Sequence, residues 1–178
     1  MKGFLILIGI LFQLSSFGQQ APPPVVSLSG IGAIRLGMKK EALDKLFSAP
    51  VKLKNLLPAE WNPDTVQVQL GGIDYQVVLN KSVDERDKNA IVVYAVHSRS
   101  PLLKTRSGVG MGDDKLKIVS TYEDYMLHLA PEYDGETGAK IKGKSSVMLY
   151  GDETPTMIVF EIEEGKVSGF WVAYAEGC

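Results

Sequence analysis

The chain has 178 residues, 45% of them hydrophobic and 22% charged, with a formal net charge of −2. That balance supplies no electrostatic drive toward phosphate backbones and no polybasic patch for anionic lipid, so neither nucleic acid nor a membrane surface is an expected partner. One cysteine, Cys178, rules out an internal disulfide, and the fold must hold by its core alone.

Met1-Lys2 opens the chain with a short positive segment, and residues 3–14 are apolar apart from Gln13. Ser16 and Gly18 then place small residues where a signal peptidase reads them. The apolar run is shorter than the ~20 residues that span a bilayer and matches a signal h-region. Residues 1–18 are therefore expected to be a signal peptide cleaved near Gly18, leaving a soluble periplasmic or secreted protein. No cysteine follows the cleavage point to carry a lipid, so no membrane anchor is expected. Residues 19–29, with Pro22-Pro23-Pro24, read as an extended Pro-rich leader.

From residue 30 onward short strands and short helices alternate. Residues 31–36 read as a strand ended by Gly37, and residues 40–47 put Leu43, Leu46 and Phe47 on one helical face. Pro50, Pro58 and Pro63 punctuate an irregular stretch. Val66, Val68 and Leu70 alternate, Gly71-Gly72 supplies a hairpin turn, and Ile73, Tyr75, Val77 and Leu79 alternate again. After a polar turn at 84–89, residues 91–97 form a third strand. In the second half, residues 102–111 contain a strand, and Gly112-Asp113-Asp114 opens a helix with Ile118, Thr121 and Tyr122 on one face. Residues 130–144, rich in glycine, lysine and acids, read as a long loop. Residues 146–150 are a strand, and 156–162 with 166–174 form a hairpin around Glu164-Gly165.

Setting Gly37 on Gly112 brings Leu36 onto Met111, Leu43 onto Ile118, Leu46 onto Thr121 and Phe47 onto Tyr122. The expected class is α+β, two β-α-β-β-β repeats with short helices packed on antiparallel sheet. Repeat 1 spans 30–99 and repeat 2 spans 100–178, the two forming one compact unit. Gly37 and Gly112 turn the chain sharply into each helix. Asp114 can cap its helix, whereas Lys39, at the matching position, cannot accept a bond from helix amides.

Ile34-Arg35-Leu36-Gly37-Met38-Lys39-Lys40-Glu41-Ala42-Leu43 resembles the opening motif of two exported bacterial families. These are the outer-membrane-assembly lipoproteins of the BamE (SmpA/OmlA) type and the tandem-repeat β-lactamase inhibitor proteins. The resemblance implies helices packed on an antiparallel sheet and an activity of protein binding. The lipid-bearing cysteine of the first family and the cysteine pairs of the second are both missing here.

Motifs of catalysis and cofactor binding fail on context. Residues 138–145 spell G-x-x-x-x-G-K-S, but residues 132–137 are too polar for the buried strand a phosphate loop needs, and a strand follows where a helix is required. Gly108, Gly110 and Gly112 fall short of a dinucleotide spacing. His97 and His128 lack partners at ligand spacing. The acids at 113–114 and at Glu161, Glu163 and Glu164 read as helix capping and hairpin exposure rather than a calcium loop. No nucleophile motif is present, and Cys178 sits at the terminus. No catalytic residue, metal or cofactor is therefore expected.

The remaining functional signal lies in the last hairpin. Ile158, Phe160 and Ile162 share one face, as do Phe170, Val172 and Tyr174, which leaves Met157, Val159 and Trp171 on the opposite face. If the first set packs under the helices, the second lines the outer sheet face, where aromatic and Met side chains favour partner binding. Cover by a second sheet or by the other repeat is the alternative. The expected function is a protein-binding or scaffolding module, inhibitor-like or envelope-associated, with an unknown protein partner. The alternative is a small-ligand carrier or envelope hydrolase with a pocket between the repeats.

Overall fold

The computed structural model describes residues 24–54, 63–82 and 89–175. The signal peptide expected at 1–18, residues 19–23 of the expected leader and Cys178 lie outside the described residues. Strands dominate, with two short helices, in a mixed α+β arrangement of two sheets.

The smaller sheet forms first in the chain. β1 (Val25–Ser27), β2 (Gly30–Ile31) and β3 (Ile34–Arg35) pair antiparallel, and β1 also pairs parallel with β7 (Lys104–Thr105) from the second half. Two expectations change here. Val25–Ser27, read as leader, is a strand of the fold, and Val26 is 1% exposed. The strand expected at 31–36 is instead two short strands that fold back at Gly32, whose φ of 60° lies in the region glycine favours.

The larger sheet has seven strands, in the order β4-β5-β6-β11-β10-β9-β8. These are β4 (Asp64–Leu70), β5 (Ile73–Lys81), β6 (Ile91–Ser98), β8 (Leu127–Tyr133), β9 (Lys140–Tyr150), β10 (Thr156–Glu163) and β11 (Lys166–Tyr174). All its pairings are antiparallel. The end of β8 (130–133) and the start of β9 (140–144) fall in the region read as a long loop, so Glu132 and Tyr133 are strand residues after all. The reason is pairing: β9 supplies β8 with an antiparallel partner from Leu127 to Tyr133, which no local pattern announces. The second half therefore runs β-α followed by four strands, and the first has three short strands before its helix, so neither follows the expected element order strictly.

α1 (Lys40–Asp44) and α2 (Lys115–Thr121) lie on one face of this sheet, together with the small sheet. α1 is shorter than expected, although Leu46 and Phe47 beyond its end still pack on the core. Asp114 Oδ1 accepts the Leu116 amide at 2.8 Å, while Lys39 makes no side-chain cap. The core runs without a break from Val26 and Ile34 through Val77, Val93 and Val96 to Ile118, Phe160 and Phe170. Phe160 meets Phe170 edge-on, with ring centroids 5.6 Å apart, and lies tilted against Tyr122 at 5.9 Å.

The two halves meet along β6 and β11, which pair through Ser98–Phe170, His97–Trp171, Val96–Val172 and Ala95–Ala173. Beyond those four pairs, each strand is met by the loop before a helix. The Gly37 amide donates to Val93 O at 2.8 Å and Val93 N donates to Met38 O at 2.9 Å. The Gly112 amide donates to Val167 O at 2.8 Å and Val167 N donates to Asp113 O at 2.9 Å.

Candidate functional site: the open sheet face

Helices and small sheet cover one face of the seven-stranded sheet. On the other face no described element is packed. Strand alternation sends Ile158, Phe160, Ile162, Phe170 and Val172 into the core, all 3% exposed or less. The intervening residues point outward, and the structure thus places Met157, Val159 and Trp171 together on the open face, each half-buried.

Register makes the composition of this face readable across strands. One row of cross-strand neighbours runs Gln67, Gln76, His97, Trp171, Val159, Met148, His128. Its β4–β6 half is polar, and the half beyond the β6–β11 seam is mainly apolar. The adjoining row, Thr65, Val78, Ala95, Ala173, Met157 and Tyr150, is mostly apolar. Trp171 and Met157 lean on the small residues Ala95 and Ala173 and on Val78. Small residues there give the indole a seat on the sheet.

At the seam stands a charged group that sequence reasoning missed. The Glu161 side chain crosses over β11 to reach β6. His97 Nε2 donates to its Oε2 at 3.2 Å, and Arg99 Nε and Nη2 both donate to the same oxygen at 3.0 Å. Glu161 pairs with Gly169 in the ladder, and the missing side chain at 169 leaves the space its carboxylate occupies. The hydrogen bond from His97 holds the Glu161 carboxyl below its ordinary value, against partial burial, and the Arg99 charge adds to the effect. The imidazole also tilts against Trp171, with ring centroids 5.4 Å apart. His97 thus has a carboxylate partner after all, and Glu161 is not a hairpin-exposed acid. Glu163 does lie at the surface, 3.3 Å from Lys144. The usable signal was the alternation that puts Glu161 on the face of Val159, with glycine opposite it.

Gln67, Asp74, Gln76, His97, Ser98, Arg99, Glu161 and Trp171 line a shallow depression of about 470 Å³ at this seam. Gly37, Gly112 and Asp114 lie away from it, at the helix entries on the covered face. Both glycines have positive φ, 72° and 79°. Asp113 accepts the Gly110 amide at 2.7 Å and Lys117 Nζ at 2.8 Å, and the Lys117 bond holds its carboxyl below the ordinary range. The glycine-lysine motif at 138–145 runs from a turn straight into β9, so no helix follows it. Among the described residues no group of three or more His, Cys, Asp or Glu is placed to hold a metal ion, and no helix is long and apolar enough to cross a membrane.

Fold and site together define a mostly-β module that shields one face of a broad sheet and leaves the other open around a tryptophan. Comparison with family models, with curated proteins and with solved structures gives no match.

Proposed function

We propose that this chain is an exported protein-binding or scaffolding module without catalysis, and that its partner docks on the open sheet face around Trp171. The observation that carries this reading is the half-buried Trp171, seated on Ala95 and Ala173 beside Met157, Val159 and Met148, on a face that no described element covers. A flat apolar surface centred on an indole and bordered by fixed charges suits a protein partner, because aromatic and Met side chains supply contact area and the border supplies orientation. The inhibitor-like or envelope-associated role follows from the resemblance around Gly37, and export from residues 1–18.

Internal duplication belongs to the same proposal. About the His97–Trp171 pair, β6, β5 and β4 answer to β11, β10 and β9, with β8 an addition at one end. The matching loop contacts at Gly37 and Gly112 support it.

Affinity capture from envelope and secreted fractions tests the reading, with Trp171→Ala run in parallel and its fold checked by circular dichroism. A stoichiometric protein captured by the wild type and lost by the folded variant is expected. Equal capture by both would sink the proposal. Fractionation with N-terminal sequencing should find a processed chain starting at Gln19 outside the cytoplasm. The depression at the seam favours a second reading, a small-ligand carrier or envelope hydrolase. A captured blank, together with saturable ligand-induced shifts at His97 and Trp171, would replace the first reading by that one.

A further inference from the structure

Four of the seven exposed large apolar side chains among the described residues fall between 125 and 133: Tyr125, Met126, Leu129 and Tyr133. Leu129 and Tyr133 lie on β8, the last strand of the large sheet, and Tyr125 and Met126 just before it; the outer side of β8 pairs with no described strand. The opposite edge is handled differently. Beside β4, residues 47–52 and Lys54 line a shared groove, and the Lys54 amide donates to Asp64. A bare edge bearing apolar side chains is a template for another strand.

We infer that β8 pairs antiparallel with β8 of a second copy of this chain. The bonding pattern of β8 sets the register. Tyr150 N donates to Met126 O, and Asp134 N donates to Ala139 O. Even-numbered residues therefore bond inward to β9, and Leu127, Leu129, Pro131 and Tyr133 turn their backbone groups outward. A twofold axis at Ala130 places Leu127 opposite Tyr133 of the other copy and Leu129 opposite Pro131. That arrangement uses the whole strand and forms roughly six interchain backbone bonds, Pro131 having no amide to give. On the other face of the ribbon it sets His128 opposite Glu132 twice, a complementary pair on each side of the axis. Ala130 meets its own copy at the axis, where a small side chain fits. Moving the axis to Leu129 would pair His128 with Ala130 and Glu132 with Met126, losing both complementary contacts. The second copy is thus the occupant that the sequence of β8 itself complements. His128 ends the row that crosses the open face from Trp171, so the dimer edge borders that face, but its pairing does not depend on what Trp171 binds.

Light scattering after size exclusion, on the processed chain from micromolar to about millimolar concentration, should show a concentration-dependent dimer. His128→Glu places like charges across both sides of the axis and should weaken the dimer about tenfold or more. His128→Glu with Glu132→Lys restores complementarity and should recover it. Both positions are exposed, so the fold is expected to survive. In a Cys178→Ser background, Ala130→Cys should form a covalent dimer on oxidation, because opposed residues of a non-bonded antiparallel pair lie about 4.5 Å apart at Cα, within disulfide range. A monomer mass at every concentration with no Ala130→Cys cross-link would overturn the inference. A dimer insensitive to His128→Glu and not cross-linked would overturn it equally. Trp171→Ala should leave the dimer unchanged.

Discussion

A Cβ on Gly169 would overlap the Glu161 carboxylate and lie 3.1 Å from Arg99 Cγ, so the contact across β11 exists because that side chain is missing. The charge on Glu161 then has a consequence for stability. Its carboxyl is more acidic in the folded chain than the ordinary value of 4.5, chiefly through the His97 hydrogen bond. The folded state accordingly binds fewer protons than the unfolded one through this range. The stability it contributes is complete above the unfolded value and is lost as pH falls through the depressed folded value. Thermal melts of wild type and Glu161→Gln should differ near neutral pH by about 1 kcal/mol or less, because the group is partly exposed. They should converge as the pH falls through the depressed folded value and the wild-type carboxyl itself becomes neutral. A gap of constant size across that range would refute the contact as a source of stability. Little of this was legible in sequence, since His97 and Glu161 are 64 residues apart and become neighbours only through strand order.

Between single residues and the whole sheet, the helix entries are the elements whose equivalence can be tested. Gly37 and Gly112 share positive φ and the same bonds to a central strand, yet their surroundings differ. A Cβ at 37 would sit 2.8 Å from the Tyr174 hydroxyl, while at 112 it would meet nothing within 4 Å. Gly112→Ala should cost about 1 kcal/mol, the strain of an L residue in that conformation. Gly37→Ala should cost more, because the tyrosine must also move. Urea denaturation of the two variants decides this, and equal losses would mean that Tyr174 gives way freely. At this scale the sequence was informative where a local rule applied. Asp114 caps as its side-chain chemistry requires, and the 71–72 and 164–165 turns fall where their glycines predict. It misled where the environment sets the rule. Within the polar, glycine-rich 130–144 region, residues 130–133 and 140–144 are strand because β8 and β9 pair with each other, and Val25–Ser27 is strand because β7, almost eighty residues later, supplies a partner.

Across the whole molecule, one core cluster takes in both halves, and within it Phe160 is fully buried between Phe170 and Tyr122. Phe160→Ala should cost about 3–5 kcal/mol and shift one cooperative transition, because β1–β7 and β6–β11 pairing ties the halves together. Two separate transitions in urea would show that the halves fold independently. The sequence by itself determined which residues alternate into the core, where glycine and aspartate end or begin an element, and that Met157, Val159 and Trp171 share a face. Those are properties of a chain and its near neighbours, set by the periods of strand and helix and by backbone sterics. Tertiary structure decided the strand order, the bare edge at β8 and the meeting of Glu161 with His97 and Arg99. Each of these depends on which distant segments pair, and pairing depends on long-range packing that no local pattern encodes.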